Sequence, residues 1–423
     1  MRLFIAEQIP SYNKGEEAIL EGILKTLEAL GDIEVSIISA NPERDHIYYD
    51  SKVSLVFAPN TLPETVHLDG RFYLSLLNFA FKHVVFMILY WILGLKTVSI
   101  MKDEIWKEYL RSDVVIIGHD NTLGFERIML FVPFLKMLKK TVVIYAGSIN
   151  EFKGKFQETL AKFALNRVDL ITLRESFSYN YLKKIGVQSP MFVTADPAFL
   201  MKAIPSKKVK IMLTKPGIGV HKGPIVGISP SRISSQYIES TFSSFEDKYR
   251  MHVRIMADLI DYLIEELDAT VMLIPHVFGP RDLNDVSMVV DVYGATKNKS
   301  KILIIKDKIS SSEIKGIIGM CDIFIGERLH SIIASTSMYT PSVAVLEKSH
   351  RTSGILRGIF SRGKGFYNIR MLDFNSLRQE VNFVWKHRRQ IKRHLMDKMG
   401  IIRKKALSNG EILNIFLLNE IKD

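Results

Sequence analysis

The sequence predicts an α/β fold made of two Rossmann-like domains that face a cleft. Short β-branched runs alternate with helical patterns along most of the chain, which is typical of βαβ units around a parallel sheet. The alternation lapses over 205–224, a segment rich in Lys, Gly and Pro, and then starts again. Because 423 residues suffice for two domains, we predict an N-terminal domain over 1–204, a linker over 205–224, a C-terminal domain over 225–370 and a basic helical segment over 371–423.

The individual elements follow from local patterns. Strands are predicted at 2–6, 34–38, 53–57, 114–117, 141–146 and 170–173, and then at 225–229, 270–274, 302–305, 322–326 and 342–346. Amphipathic helical patterns lie between most of them. One of these covers 15–30, and another covers 176–186, where Gly186 is a typical C-terminal stop. Ser310 with Glu313 predicts a capping box at the start of a short helix.

Composition narrows the function classes. The 57 Lys and Arg residues outnumber the 45 acidic ones and give a net charge of +12, which favours anionic partners. Nucleic acid is disfavoured, because the basic residues are not interleaved with aromatic ones. The single cysteine, Cys321, excludes an intrachain disulfide and a cysteine metal cluster, so we expect a reducing, cytoplasmic setting. The first residues, MRLFIAEQIP, predict a strand and not a signal peptide.

Two segments point towards a membrane. Residues 84–95, VVFMILYWILGL, are continuously apolar, and a further apolar stretch from 72 precedes Lys82 and His83. The length of the whole stretch 72–95 and the charge at Lys82 leave three interpretations open: a buried helix, an interfacial membrane contact or a membrane-spanning helix. Residues 386–405 hold nine Lys or Arg residues and one acid. They predict either a lipid-binding basic helix or a solvated charged face.

Polar side chains follow several predicted strands. Arg328 and His330 come after 322–326 in GERLHSIIAS and precede a helix that is expected to begin near Glu327. The carboxyl edge of a parallel sheet is the usual ligand site, and a helix N-terminus there favours anions. The same placement is predicted for four further positions and for a neighbouring histidine, namely Arg174, His276, His119 with Asp120, and Asn13. Asp196 before Pro197 is a turn or cap residue by this pattern and not a catalytic acid.

At these residues the sequence resembles the polysaccharide pyruvyl transferase family. The resemblance runs from YNKGEEAIL through VVIIGHDNTLG, ITLRESFSYNYLKKIGV, VTADPAFL, VGISPS and LIPH to GERLHSIIASTSMYTPSVAVLEKS. It implies a glycosyltransferase-B-like pair of domains that moves a carboxyvinyl-derived group from phosphoenolpyruvate to a saccharide as a pyruvate ketal. Family motif positions fall on Arg174, Arg328 and His330, and also on Asn13, His276 and Lys348. The sequence departs from the family where a common Gly-Gly-Gly is Gly118-His119-Asp120.

The implied reaction suits these side chains. Arg174 and Arg328 are expected to hold the two anionic ends of the donor, because guanidinium forks bind phosphate and carboxylate groups. His330 is the expected general acid, since a histidine can deliver and recover a proton near neutral pH. Asp120 or His276 is the expected base, and Asn13, His119 and Lys348 are expected to bind substrate. Neither a cofactor nor a metal is expected, because no His-Glu-x-x-His, calcium loop or cysteine pair occurs.

Two other functions stay open at this stage. A nucleotide-sugar glycosyltransferase of the same architecture would use the same cations for a diphosphate. A non-catalytic, membrane-associated binder of saccharides or anions would fit the basic helix and the Gly118-His119-Asp120 departure. The expected partners are phosphoenolpyruvate and a free or lipid-linked saccharide, with an anionic membrane surface as a third and without nucleic acid. The expected location is the cytoplasm, with peripheral attachment to the inner face of the membrane as its extension.

Overall fold

A computed structural model divides the chain into two compact units. It describes residues 1–49, 53–58, 70–120, 123–213, 223–242, 244–279, 284–305, 309–360 and 364–420. Unit 1 comprises 1–11, 23–197 and 405–423, and unit 2 comprises 12–22 and 198–404. Each unit contains one parallel sheet with its own hydrophobic core.

Unit 1 is built on a seven-stranded sheet with the order β3-β2-β1-β4-β5-β6-β7. Its strands are β1 (Arg2–Gln8), β2 (Glu34–Ser39), β3 (Ser54–Phe57), β4 (Val114–Ile116), β5 (Thr141–Gly147), β6 (Leu170–Leu173) and β7 (Met191–Val193). The intervening helices are α1 (Lys14–Leu27), α2 (Pro42–Tyr49), α3 (Gly70–Leu93), α4 (Thr97–Ile100), α5 (Glu104–Arg111), α6 (Phe125–Met137), α7 (Gly154–Leu165) and α8 (Ser176–Ile185). The strand order reverses between β1 and β4, as in a Rossmann sheet.

Unit 2 repeats this arrangement with six parallel strands in the order β10-β9-β8-β11-β12-β13. Its strands are β8 (Ile225–Ser229), β9 (Thr270–Leu273), β10 (Ile302–Ile304), β11 (Ile323–Gly326), β12 (Ser342–Leu346) and β13 (Phe366–Asn368). Its helices are α9 (Ser206–Leu213), α10 (Phe245–Leu267), α11 (Asp285–Ala295), α12 (Ser311–Ile318), α13 (Leu329–Ser337), α14 (His350–Ile355) and α15 (Phe374–Glu420). Here the strand order reverses between β8 and β11. The sequence predicts ligand-binding residues in the loop after β11, and a reversal of strand order is where such loops bind ligands.

Local sequence explains where several helices begin and end. The predicted capping box is present, because the Ser310 side chain accepts from the Glu313 amide while the Glu313 carboxylate accepts from the Ser310 amide. Gly186 ends α8 in the left-handed conformation, with φ 86°, as predicted. The helix expected near Glu327 begins at Leu329, and Arg328 is its N-cap residue.

The domain boundaries differ from the predicted ones. Residues 12–22 pack with unit 2 although they lie near the N-terminus, because their backbone pairs with the segment after β9. The predicted linker, 205–224, contains helix α9, and its residues 214–222 lie outside the described ones. The predicted segment 371–423 is largely one 47-residue helix, α15, whose residues up to Lys404 belong to unit 2 and whose remainder belongs to unit 1.

The apolar segment predicted at 72–95 lies in helix α3. Phe79, His83 and Phe86 on one side of α3 are buried in the core of unit 1. The opposite side is exposed, and only 17% of the most apolar window of 77–100 is buried. By length and composition alone, 77–100 is the one helical stretch among the described residues that could cross a membrane.

Candidate functional site

The candidate site in unit 2 lies where the strand order of its sheet reverses. Strands β8 and β11 are neighbours at the centre of the sheet, and their carboxyl ends lie side by side. The amide of Glu327, directly after β11, donates to the carbonyl of Ser229, the last residue of β8, at 3.0 Å. Arg328 and His330 therefore leave the sheet at its topological switch point, as the sequence predicts.

A buried network fixes these loops. Glu327 Oε2 accepts from the Ser231 amide at 2.6 Å, while Glu327 Oε1 lies 2.7 Å from His252 Nε2. His252 Nδ1 in turn lies 2.9 Å from the hydroxyl oxygen of Ser235. All four residues are buried, so the loop after β8 and the loop after β11 are tied to helix α10. A buried network with its hydrogen bonds formed holds its members in one arrangement.

Arg328 is oriented by a carboxylate that sequence reasoning missed. Its Nε and Nη2 atoms donate to the two oxygens of Asp285, the first residue of α11, at 3.2 and 2.9 Å. Asp285 is fully buried and also accepts from the Val277 amide at 3.0 Å. Burial raises the pKa of Asp285, and the positive charge of Arg328 opposes that rise. The fork-to-fork pair fixes the plane of the guanidinium.

His276 is a buried imidazole without a hydrogen-bonding role inside the described part of the protein. It follows β9 after Pro275 and is only 3% exposed. Neither of its ring nitrogens has a hydrogen-bond partner among the described residues. Burial, followed by the charges of His330, Arg328 and Lys14, holds the pKa of His276 well below its usual value. Near neutral pH this ring is therefore uncharged and retains one donor and one acceptor for a ligand.

The segment 12–22 completes the site. The Lys14 amide donates to the His276 carbonyl at 3.1 Å, and the Phe278 amide donates to the Tyr12 carbonyl at 2.8 Å, so the two stretches run antiparallel. Gly15 packs against the imidazole of His330, because a Cβ placed at Gly15 would lie 2.5 Å from His330 Nδ1. Only a glycine leaves room for the ring at this point.

Lys14 and Glu17 form a buried ion pair at the start of α1. Lys14 Nζ lies 2.8 Å from Glu17 Oε2, and Glu17 Oε1 accepts from the amide and the hydroxyl of Ser311 at 2.8 and 2.9 Å. Burial raises the pKa of Glu17, and Lys14 is the main opposing influence. Asn13 Oδ1 accepts from the Gly15 amide at 3.1 Å and so shapes the turn that leads into α1.

Four of the predicted residues therefore come together in unit 2, and a fifth lies nearby. Asn13, His276, Arg328 and His330 surround one corner of the sheet edge, with Lys14 as an added cation. Lys348 follows β12, the next strand of the sheet, and its side chain is exposed; its amide is 3.4 Å from Asn368 Oδ1. Lysine 14 was missed although it stands beside Asn13 in the sequence. Asp285 and His252 gave no local signal, because their roles arise from contacts distant in sequence.

Arg174 lies in unit 1 and is paired there. It follows β6, and its Nη1 lies 2.7 Å from Asp196 Oδ2 while its Nε donates to the Ser148 hydroxyl at 2.9 Å. Both members of the ion pair are buried. Asp196 therefore does more than begin the turn at Pro197, because it neutralises Arg174 within the unit. The donor contact expected of Arg174 stays a prediction.

His119 and Asp120 follow β4 and join a second buried cluster of unit 1. His119 Nδ1 is hydrogen-bonded to Glu7 at the end of β1, and Arg127 Nη1 donates to Glu7 Oε1 at 3.0 Å. Burial alone would raise the pKa of Glu7, but His119 and Arg127 hold it below the usual value. The carbonyl of Asp120 accepts from the Ser148 amide at 2.6 Å, which places Asp120 beside the residues that hold Arg174.

This second cluster includes the one candidate metal set among the described residues. Ligand atoms of Glu7, His119 and Asp120 all lie within 4.8 Å of one another. Carboxylate and imidazole groups are suitable ligands for divalent ions. However, the Arg127 guanidinium already donates to Glu7, so a second cation at that carboxylate would meet a like charge.

Comparisons with known proteins agree with this architecture. The chain is 23% identical over 372 residues to the amylovoran biosynthesis protein AmsJ of Erwinia amylovora, with 84% of this chain and 86% of that protein covered. Its fold is similar to that of UDP-GlcNAc 2-epimerase from Neisseria meningitidis, with a TM-score of 0.59 at 12% identity over 99% of this chain and 100% of that one.

Two further structures show the same fold. Sucrose-phosphate synthase from Thermosynechococcus elongatus matches with a TM-score of 0.57 at 9% identity, and Anabaena Alr3699/HepE, solved with UDP and glucose, matches with 0.52 at 12% identity. Each comparison covers 99% of this chain and 100% of the other. The fold is therefore glycosyltransferase-B-like. The family model for polysaccharide pyruvyl transferases matches residues 13–349, well over half of the sequence, and this chain thus belongs to the polysaccharide pyruvyl transferase family.

Proposed function

We propose that the protein transfers the pyruvyl group of phosphoenolpyruvate to a saccharide, as a ketal, during the synthesis of a cell-surface polysaccharide. The observation that carries the proposal is the environment of His276 in unit 2. A buried, neutral imidazole, whose two nitrogens have no hydrogen-bond partner among the described residues, lies among Lys14, Arg328 and His330 at the switch point of the sheet. A small, multiply charged anion suits such a site, because the imidazole can donate to it while Lys14 and Arg328 lie close by.

The proposed donor roles follow from this arrangement. Arg328, whose plane is fixed by Asp285, offers guanidinium N–H groups to the phosphate, and Lys14 adds positive charge beside it. His276 contacts the donor through its ring nitrogens, which have no partner in the described part of the chain. Arg174 is proposed to bind the second anionic end of the donor, as its family motif position implies. For this, Arg174 would either leave Asp196 or bind the donor with those guanidinium N–H groups that do not contact Asp196.

His330 is the proposed general acid. In the reaction its proton goes to the methylene carbon of phosphoenolpyruvate, which becomes a methyl group and leaves a cationic C2. A saccharide hydroxyl oxygen forms a bond to C2, the bond from C2 to the phosphate oxygen breaks, and a second hydroxyl closes the ketal. The two hydroxyl protons balance the products: one restores the acid, and the other leaves with inorganic phosphate. Arg328 stabilises the departing phosphate.

The remaining predicted residues are proposed to bind and activate the acceptor. Asp120 or His276 is the proposed base for the acceptor hydroxyls, and His119 and Asn13 are proposed to bind substrate, as is Lys348 at the edge beside β12. His119 is held by Glu7, which fixes the orientation of its ring. The role of the Erwinia relative in amylovoran biosynthesis supports a saccharide acceptor in polysaccharide synthesis.

The direct test incubates the purified protein with phosphoenolpyruvate and a panel of free and lipid-linked glycans. Mass analysis is expected to find the pyruvyl increment on one glycan class, together with an equal amount of inorganic phosphate. His330→Gln is expected to bind phosphoenolpyruvate and to form no product, while Arg250→Lys on the exposed side of α10 is expected to match the wild type. Phosphoenolpyruvate that neither binds nor reacts with any acceptor would refute the proposal.

A nucleotide-sugar glycosyltransferase is the second candidate. Structural relatives include a protein solved with UDP and glucose and an epimerase bound to UDP-GlcNAc, and the cationic corner of unit 2 would also suit a diphosphate. The same glycan panel, supplied with UDP-sugars in place of phosphoenolpyruvate, separates the two. A hexose increment without a pyruvyl increment favours this candidate, whereas donor binding without any product favours a non-catalytic binder.

We further propose that the acceptor is reached at the inner face of a membrane. Helix α15 presents exposed basic residues over the stretch predicted to bind lipid, among them Lys386, Arg389, Lys392 and Arg393. Such a face can associate with anionic lipid in a salt-sensitive manner. A saccharide carried on a lipid diphosphate would be concentrated at the same surface.

A further inference from the structure

Helix α3 has two apolar sides that point in opposite directions. Phe79, His83 and Phe86 follow one another at spacings of four and three residues and lie on the side buried in unit 1. Leu77, Phe81, Val84, Ile88 and Trp91 follow the same helical spacing on the opposite side, and all of them are exposed. A surface helix of a globular protein normally carries polar residues on its outer side. The outward side of α3 therefore needs a partner.

The inward side anchors α3 to the body of unit 1. The His83 ring lies 4.9 Å from those of Trp106 and Phe134 and 5.7 Å from that of Phe131, measured between ring centroids, and His83 Nδ1 is 2.8 Å from the Phe79 carbonyl oxygen. Phe86 stacks on Trp106 at 4.6 Å. Burial lowers the pKa of His83 to about 4, so the ring is neutral near pH 7. A position that crosses the bilayer would require the loss of all these contacts.

The outward side carries several highly exposed apolar side chains. Trp91 is 85% exposed and Phe81 67%, and after the end of α3 the apolar side chains of Leu95 and Ile100 are also exposed, at 71% and 57%. Exposed apolar patches of this kind mark interaction surfaces on soluble proteins. Lys96 and Lys102, both exposed, follow at the same end of the stretch. An apolar face with an exposed tryptophan and bordering lysines is typical of helices that lie in a membrane interface.

We propose that the outward side of α3 docks unit 1 on an anionic bilayer, with the helix in the plane of the interface. The apolar side chains enter the acyl boundary, while Lys96 and Lys102 remain among the headgroups. This proposal extends the proposed function, because it names the surface by which the enzyme would meet a lipid-linked acceptor. It concerns binding alone, so its test does not require the transfer reaction.

The test is flotation of the full chain with vesicles of neutral phosphatidylcholine and with vesicles that also contain an anionic lipid. The wild type is expected to float with anionic vesicles and to be released by high salt. The double variant Phe81→Glu, Trp91→Glu is expected to lose at least about tenfold in bound fraction, because both side chains would carry charge into the acyl boundary. The matched control, Phe156→Glu with Phe163→Glu, changes two exposed aromatics of α7 and is expected to bind as the wild type does.

Three results would overturn the proposal. The first is flotation of the double variant at the wild-type level, and the second is absence of the wild type from every vesicle fraction. The third is evidence for another kind of interaction. Bound protein that resists alkaline carbonate extraction would show that the helix spans the bilayer. A dimer that the double variant abolishes, in a protein that does not bind vesicles, would show that this side contacts a second copy of the chain. Thermal melts that match the wild type confirm that the variants fold. Turnover of a free glycan is measured on the same samples. If the protein does not bind vesicles but still converts the free glycan, the membrane proposal fails while the proposed function stands.

Discussion

Replacing Arg328 by lysine is expected to lower kcat/KM for phosphoenolpyruvate about 30-fold while the protein stays folded. The arginine uses two of its donors to grip the Asp285 carboxylate, at 3.2 and 2.9 Å, and this grip sets the plane of the guanidinium. A lysine keeps the charge but has no planar fork. Its ammonium would be drawn towards the buried carboxylate and could not also present two parallel N–H groups to a phosphate.

The magnitude follows from the bonds that are lost. One hydrogen bond to a charged group is worth about 1.5–3 kcal/mol, and a loss of about 2 kcal/mol of transition-state stabilisation corresponds to about 30-fold. The cost to folding is smaller, about 1 kcal/mol, because Asp285 loses one bond of the fork but keeps the ammonium charge and the Val277 amide. A variant folded as the wild type but slow with the donor is therefore the expected result.

The assay measures phosphate release from phosphoenolpyruvate at saturating acceptor, together with the Kd of the donor by calorimetry. Arg250→Lys, a charge-conserving change at an exposed residue of the same unit, provides the matched control. Wild-type kcat/KM and Kd in a folded Arg328→Lys variant would refute the assigned role. An equal fall in the control variant would show that the effect is not specific to the site.

Three other outcomes are expected. Turnover should survive exhaustive chelation, since an arginine already binds the carboxylate of the one candidate metal cluster among the described residues; loss with rescue by one divalent ion would overturn the mechanism and favour the nucleotide-sugar candidate. The folded pKa of His83, about 4, lies below its usual 6.5, so its contribution to the free energy of unfolding is full above pH 6.5 and falls by about 3 kcal/mol as the pH drops through that window. His83→Phe should remove this pH-dependent part of the free energy of unfolding, measured by denaturant titrations at several pH values. An unchanged pH dependence would contradict the assignment to His83. Gly15→Ala should lower turnover at least about tenfold by displacing His330, whereas Gly294→Ala, with open space around its Cβ, should not; equal activities would show that the close packing is dispensable.

Sequence patterns predict most of the sheet, and the exceptions have a physical reason. The strands of both units that precede the site lie at or within one or two residues of their predicted bounds. Strands β7 and β13 were not predicted. The equally short strands β4 and β10 lie in β-branched runs, whereas MFV in β7 and FYN in β13 contain at most one β-branched residue. Helix α9 was hidden in the predicted linker, since its lysine-rich sequence has the composition of a loop.

The sequence predicts where the candidate site lies but not which residues pair with one another in it. Because parallel strands share one carboxyl edge, the order of strands alone places Arg328, His330 and His276 near one another. The partner of Arg328 is Asp285, 43 positions away, and no local pattern marks a side chain for such a contact. The burial of Arg174 was equally invisible, because its neutralising partner, Asp196, becomes one only when β6 and the turn before Pro197 are packed together.

A common device holds the loops at the two switch points. In unit 1 the buried carboxylate of Glu7, at the end of β1, binds His119 after β4; in unit 2 the buried carboxylate of Glu327, after β11, binds the loop amide after β8 and His252. In each case one acid ties structure across the reversal in strand order. A carboxylate buried there is stabilised by the donors that it collects, and those donors are then fixed before any ligand arrives. Glu7 and Glu327 thus order the loops at the two switch points through contacts within each unit.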